Sequence, residues 1–542
     1  MTISRRDFLS CLAVAGAAAP ALALARPFAP FAHDADREVF AHGVASGDPL
    51  DDRVILWTRV TPRDLSKKVD VRWTIARDPA LRHEVRSGKV HTDAGRDFTV
   101  NVDVEGLDEG ETYYYRFEAE GGAKSPIGRT RTLPHGKTRR LRLAVASCSN
   151  YPFGFFHGYG LIARRADLDA VLHLGDYLYE YRNGTFGDGA ALMRVPQPDR
   201  ETVTLADYRL RHATYKSDPD LQEAHRQHPF ITVWDDHESA NDAWTDGAEN
   251  HQPDTEGDWA LREARSIRAY NEWMPIRSRG PGDASIFRRF RFGDLAELTM
   301  LDTRIAGRDR QAASPADVAT INDPARQLLG ERQERWLFRG LSDSQSDGVR
   351  WRLVGQQVMM AQLSLDFGAS IANPDQWDGY RAARERVFDH LREHRIRDVV
   401  VLAGDIHSSW GSDLTPNPFQ LGSYDPATGA GALGVEFVTP GITSPFLFPD
   451  TPAGAAQAAG AAQQLRAISP HMKWIELFRR GYLVLDMDHE RVQGEWYYLR
   501  SVRERNLVED FGAAFFCAAG TSHLVQAPGP SAALAHAPDP AP

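Results

Sequence analysis

His173-Leu174-Gly175-Asp176-Tyr177-Leu178-Tyr179-Glu180-Tyr181 follows directly on the apolar run Ala170-Val171-Leu172. A short apolar run that meets a glycine reads as a buried strand releasing its next residues into a loop. Asp176 and Tyr179, three apart at that edge, can turn two hard anionic oxygens toward one point, where a divalent or trivalent cation is a suitable partner. A strand-end acid also serves as a helix cap, and tyrosines also pack in cores. The stretch by itself leaves both readings open.

The same pattern recurs along the chain. After Pro134, apolar strand candidates at 141–147, 170–174, 230–234, 298–301, 351–354 and 399–403 alternate with helical segments, which predicts a layered α/β or α+β domain. Five of these strands run into polar, reactive residues, and open sheets collect ligands outside the carboxyl ends of their strands. One ends Ala146-Ser147-Cys148-Ser149-Asn150, where a cysteine is either a buried apolar group or a ligand. Another ends Trp234-Asp235-Asp236-His237-Glu238, followed by Asn241-Asp242. Four ionisable groups in a row are not buried cheaply, so either water solvates them or a cation gathers them. A third ends Ala403-Gly404-Asp405-Ile406-His407-Ser408-Ser409-Trp410, with Asp405 and His407 alternating to one side of an extended chain. Long polar insertions at 182–201 and 245–257 exceed ordinary connectors and are expected to cover the site.

Upstream, residues 38–134 hold short β runs such as Arg53-Val54-Ile55-Leu56-Trp57-Thr58 and Thr112-Tyr113-Tyr114-Tyr115-Arg116-Phe117. Their spacing predicts an antiparallel β-sandwich of immunoglobulin or fibronectin type. Gly481 to Asp486 and Val492 to Tyr498 read as a closing hairpin, and 506–542 as a C-terminal extension. From Ala527 that extension is rich in Ala, Pro and His, a composition that predicts disorder.

At 542 residues the chain is too long for a single core. A hydrophobic fraction of 42%, a charged fraction of 25% and a formal charge of −11 describe a globular protein without the basic face of a nucleic-acid binder. A small anionic substrate remains compatible, because a metal supplies positive charge locally. Ser4-Arg5-Arg6-Asp7-Phe8-Leu9, the apolar run 11–23 and Ala23-Leu24-Ala25 form a twin-arginine signal over residues 1–25, with a cleavage site and no spanning length. The twin-arginine translocase exports folded chains, so the expected location is the periplasm or the medium, with the cofactor inserted first. Cys11 leaves with the signal, and sequence leaves open whether Cys148 and Cys517 pair.

Ala-Ser-Cys at 146–148, Gly-Asp-Tyr-Leu-Tyr at 175–179, Trp-Asp-Asp-His-Glu at 234–238, Leu-Asp-Thr-Arg at 301–304 and Gly-Asp-Ile-His-Ser-Ser-Trp at 404–410 together resemble the PhoD family of alkaline phosphatases and phosphodiesterases. That family's site is similar to those of purple acid phosphatases and calcineurin-like metallophosphoesterases. The resemblance implies a catalytic domain over 140–505, a mixed-sheet sandwich with flanking helices behind the β-sandwich domain, hydrolysing phosphate monoesters or diesters with a metal-activated hydroxide for phosphate scavenging. It implies Fe3+ on Cys148, Asp176, Tyr179 and His407, which excludes a disulfide at Cys148. It also implies Ca2+, more than one ion, on Asp176, Asp236, Gln357 and Asp405. Purple acid phosphatases carry a histidine in a Val-x-x-His motif; here Val354-Gly355-Gln356-Gln357 offers an amide, and Asp405 stands where another histidine would. Oxygen donors in place of nitrogen favour calcium over zinc or manganese. His237 is implied as the proton donor to the leaving oxygen or as an orienter of Asp236, and Asn241 and Arg304 as substrate-binding groups, Arg304 as a bidentate fork.

Other classes fit less of the sequence. A secreted β-sandwich binding protein leaves the strand-end ligands without a role, and a zinc metallopeptidase would need the His-Glu-x-x-His motif that this chain lacks. A phospholipase D-like phosphodiesterase of the same family is the nearest alternative. Replacing Arg5 and Arg6 together by lysine is predicted to hold folded, uncleaved protein in the cytoplasm; normal delivery of the double variant, followed by cell fractionation, would refute the twin-arginine reading.

Overall fold

The computed structural model describes residues 34–119, 121–280 and 282–542; the signal segment read at 1–25 lies outside the described residues. Among the described residues the strands form three sheets. The first runs β21 (Leu524–Gln526), β20 (Glu509–Ala518), β19 (Arg491–Leu499), β18 (Gly481–Met487), β8 (Leu141–Ala146), β9 (Ala170–His173), β10 (Pro229–Thr232), β1 (Val44–Gly47), β2 (Arg53–Arg59), β5 (Thr99–Glu105). The second runs β11 (Arg288–Phe292), β12 (Ala296–Met300), β13 (Trp351–Gly355), β14 (Val399–Ala403), β16 (Gly434–Val438), β15 (Ser409–Leu414), β17 (Met472–Glu476). The third runs β4 (Glu84–Thr92), β3 (Val69–Ala76), β6 (Thr112–Ala119), β7 (Gly128–Arg131).

The central strands are parallel in both large sheets: β8, β9 and β10 in the first, β12, β13, β14 and β16 in the second. Strands covered on both faces need apolar side chains throughout, and β14, Val-Val-Val-Leu-Ala, is buried at every position. The two sheets pack face to face through Leu143, Leu172 and Phe230 of one and Leu298, Leu353 and Phe437 of the other. Helices Gly330–Ser346, Arg381–Glu393 and Pro452–Ile468 cover the outer face of the second sheet through Leu337, Val387, Phe388 and Leu465. The domain therefore combines two mixed sheets that share a core with helices packed against the second.

The N-terminal region departs from a free-standing sandwich. β1 pairs in parallel with β10, Ser46 opposite Pro229 and Gly47 opposite Phe230, so β1, β2 and β5 continue the catalytic sheet. The four-stranded sheet packs over that extension, with Val54, Leu56 and Val100 meeting Val71, Ile75, Tyr115 and Phe117. Gly47 permits the joint: a Cβ there would lie 2.1 Å from the Pro275 carbonyl oxygen and 2.6 Å from that of Phe230.

The tail also departs from expectation. The region beyond 505 supplies β20 and β21, and the segment from Ala527 is tied down rather than disordered. Ser531 N–H donates to Glu495 (2.6 Å), the Tyr114 hydroxyl donates to the Asp539 carbonyl (2.6 Å), and Ala541 exchanges two hydrogen bonds with the Gln227 amide (2.9 and 3.1 Å). A polar, Pro-rich composition forecasts disorder because it buries little apolar surface; here backbone hydrogen bonds to an already folded surface order the segment instead. No helix among the described residues is long and apolar enough to cross a membrane.

Candidate metal centre

Parallel pairing brings the loops that follow β8, β9, β10 and β14 to one end of the sandwich, and these loops carry the motifs singled out above. They approach backbone to backbone. A Cβ on Gly175 would lie 2.4 Å from the Asp235 Cβ, and one on Gly404 would lie 2.6 Å from Ser147 Oγ. Cys148, Asp176, Asp405 and His407 all hold the left-handed conformation, at φ of 58°, 54°, 63° and 57°. For residues with a Cβ this costs on the order of 1–3 kcal/mol each and concentrates at functional sites.

The ligand atoms of Cys148, Asp176 and His407 lie within 4.8 Å of one another, as do those of Asp176, Asp236 and His237, and those of Asp235, Asp236 and Asp405. Asp176 joins the first two groups and Asp236 the last two. Tyr179 belongs to the first: its hydroxyl donates to Asp176 Oδ2 (2.7 Å), lies 3.0 Å from His407 Nε2, and accepts from Ser444 (2.7 Å). The Pro445 carbonyl, 3.1 Å from His407 Nδ1, can only accept. The proton therefore sits on Nδ1, and Nε2 turns its lone pair toward Cys148 and Asp176. Cys148 and Cys517 are both free thiols.

Two residues of the motif-based set stand elsewhere. Gln357 Oε1 accepts from the Thr303 amide (2.9 Å) and hydroxyl (2.5 Å) while its Nε2 donates to the Leu301 carbonyl (3.0 Å). Its amide holds the 301–303 turn instead of facing the acids, because β12 and β13 are neighbours whose ends need tying. Arg304 is fully buried, with Nε on Asp235, Nη1 on both oxygens of Asp375 (2.9 Å) and Nη2 on Asp405 (2.6 Å). The guanidinium fork is present, but the protein's own carboxylates fill it. Asn241 does line the cleft, donating to Glu249 (3.1 Å).

Electrostatics decides what this arrangement can hold. Burial pushes Asp176 up to about 7 and, with Asp375 and Asp236 nearby, Asp242 up to about 8. Burial and neighbouring acids raise Asp235 and Asp405 well above the carboxylate range. Burial, then the Asp176 charge, raises the Cys148 thiol and the Tyr179 phenol. Asp176 Oδ1 and Asp235 Oδ2 are buried without any hydrogen-bond partner. Orphaned buried anionic oxygens facing other acids are expensive unless a cation or proton joins them. The donor chemistry fits metal: a thiol, a phenol and an imidazole on one side, carboxylates alone on the other.

His237 differs from the acids. Burial alone would lower it, but Asp236, Asp176 and Glu180 outweigh burial and hold it well above its ordinary value. Its Nδ1 lies 2.7 Å from Glu180 Oε2, and the same carboxylate accepts from Asn241 N (2.8 Å) and Asn250 Nδ2 (2.8 Å). The imidazolium thus keeps Nε2 for the cleft that it lines, a cavity of about 600 Å³ whose lining includes Asp236, Asn241 and Glu249 together with Trp410, Phe446 and Leu447. Both long insertions reach this region: Phe186 stacks against His407 with ring centroids 6.1 Å apart, and Asn250 bonds Glu180. The motif-based set lacked Asp235, Glu180, Asp375 and Ser444. Asp235 sits inside a motif already singled out and Glu180 directly follows one; Asp375 and Ser444 carry no local signal.

A PhoD-like phosphatase family profile matches residues 143–496, and the profile of that family's N-terminal domain matches 24–134. The chain is 37% identical over 462 residues to alkaline phosphatase D of Bacillus subtilis (strain 168), covering 82% of this chain and 75% of that protein. A solved structure of PhoD superposes with a TM-score of 0.81 at 33% identity, over 91% of this chain and 93% of that one.

The acids make a pH prediction. A carboxyl whose folded pKa is raised above its unfolded value of 3.8 lends full relative stability below that value and loses it as pH rises through the folded one, here about 7 for Asp176 and about 8 for Asp242. Asp236, Glu180 and Asp375 are held below their ordinary values and act below this window. The melting temperature gained on adding cation to the metal-free protein is therefore predicted to grow between about pH 4 and 8. A gain that is flat across that range in calorimetry would detach these acids from cation binding.

Proposed function

The chain belongs to the PhoD-like phosphatase family, and on that basis we propose that it is an exported, metal-dependent phosphoesterase that hydrolyses phosphate monoesters, diesters or both for phosphate scavenging. The observation that carries the metal requirement is the pair of buried, partnerless oxygens on Asp176 and Asp235. Cys148, Asp176, Tyr179 and His407 would hold Fe3+, because thiolate and phenolate suit a ferric ion and not calcium. Asp176, Asp235, Asp236 and Asp405 would hold Ca2+, which takes carboxylate oxygens. When bound, such cations supply Lewis acidity toward the phosphoryl oxygens and toward water.

The remaining work falls to the chain itself. Arg304 fixes Asp235 and Asp405, so the acids keep their spacing while the cleft stays open. His237, held protonated by Asp236, Asp176 and Glu180, offers a proton from Nε2 to the departing alkoxide. Asn241 presents its amide to the cleft as a neutral polar contact for phosphate. The apolar side chains of Trp410, Phe446 and Leu447 in that lining seat the organic part of the ester.

Chelation is predicted to abolish hydrolysis of phosphoesters by the purified protein, and calcium to restore it better than zinc; full turnover in excess chelator from a metal-free preparation would defeat the reading. His237→Ala is predicted to slow alkyl esters by about two to four powers of ten and nitrophenyl esters by less, since a good leaving group needs little protonation. Equal losses on both would remove His237 from the proton-donor role.

A further inference from the structure

Glu238 ends the Trp-Asp-Asp-His-Glu motif and is 3% exposed. It enters none of the three ligand groups and none of the ion pairs among the described residues. Its carboxylate instead accepts three main-chain N–H groups: Tyr177 on Oε1 (2.6 Å), and Asp235 (2.8 Å) and Asp176 (3.2 Å) on Oε2. Those donors lie on two separate loops, the one after β9 and the one after β10.

The parallel ladder between β9 and β10 reaches Thr232 opposite His173, and Val233 N–H still donates to the His173 carbonyl (3.0 Å). Beyond that point the two strands become loops, yet they stay in contact, with the Gly175 Cα bare against Asp235. Buried N–H groups must find acceptors, and neither loop turns a carbonyl to the other's donors here. A carboxyl group has acceptor sites for about four hydrogen bonds, enough for all three N–H groups. Glu238 thus replaces the missing rungs of the ladder with a single side chain.

We propose that Glu238 is a positioning residue. It fixes the loop bearing Asp176 against the loop bearing Asp235 and Asp236, so the carboxylates hold their cation spacing before any cation binds. This rests on the metal-dependent reading above. Groups that orient ligands without touching the ion commonly change metal affinity by about 10–100-fold when removed.

Glu238→Gln preserves shape but replaces one acceptor oxygen by an N–H2 that faces donors. The full-length variant is predicted to retain its circular dichroism spectrum, to lose metal on dialysis at concentrations where the wild type stays loaded, and to need about 10–100-fold more cation for half-maximal hydrolysis. Its kcat at saturating cation should return close to that of the wild type. Asp236→Asn, a change at a ligand, should not be rescued in this way. Wild-type metal retention by the Gln variant overturns the proposal, and so does a loss that no excess of cation restores, which would make Glu238 a ligand. If the Gln variant does not fold, amide exchange of the wild type decides: Tyr177 and Asp235 N–H should be as protected in metal-free protein as in loaded protein, and protection arising only with cation overturns the proposal. A wild type that binds no metal and hydrolyses esters in chelator sinks the metal reading itself, a result distinct from these.

Discussion

The constraint on which this structure turns is electrostatic: Asp176, Asp235, Asp236, Asp375 and Asp405 crowd together at one end of the sheets, the first four of them buried. An uncompensated buried carboxylate costs several kcal/mol, and adjacent ones repel. Arg304 and Arg308 answer part of that charge from inside, Arg304 reaching Asp235, Asp375 and Asp405 and Arg308 reaching Asp375. Two buried carboxylate oxygens, Asp176 Oδ1 and Asp235 Oδ2, they leave without a partner. The basic groups therefore do not neutralise the site. They leave part of its acidic character for a cation to answer.

That division of labour explains which parts were legible in the sequence. The strands read at 141–147, 170–174 and 399–403 are β8, β9 and β14, because a strand buried on both faces leaves a continuous apolar run and its end leaves a polar break. Motifs at such ends identify residue types well. They do not give side-chain direction, and the same Leu-Asp-Thr-Arg that reads as a phosphate fork turns inward once Asp235, Asp375 and Asp405 surround it. Gln357 is a similar case, since its alternative partners, the Thr303 amide and the Leu301 carbonyl, become neighbours only when β12 and β13 pair.

Two larger departures have the same origin. The parallel pairing of β1 with β10 is a contact between residues far apart in sequence, and no local period encodes which sheet an N-terminal strand will join. The segment after Ala527 has little apolar surface of its own. Its order comes from acceptors and donors on Glu495, Tyr114 and Gln227, which are invisible to composition. Through these bonds the tail spans the surface between β19, β6 and the helix Pro219–Gln227, bracing the N-terminal sheet against the element that feeds β10.

The site cannot exist in an unfolded or half-folded chain. Cys148, Asp176, Asp236 and His407 come from four strand ends in two sheets, and left-handed turns aim three of those side chains. Ligand sets preorganised in this way bind metal after folding and not as its nucleus, unlike small domains that fold around zinc. On the proposed reading, the protein must therefore either fold before leaving the cytoplasm or find its metals outside. If the proposed twin-arginine reading of Arg5 and Arg6 holds, the first course applies, since a route carrying folded chains lets the four strand ends meet where the cell controls which metal is present.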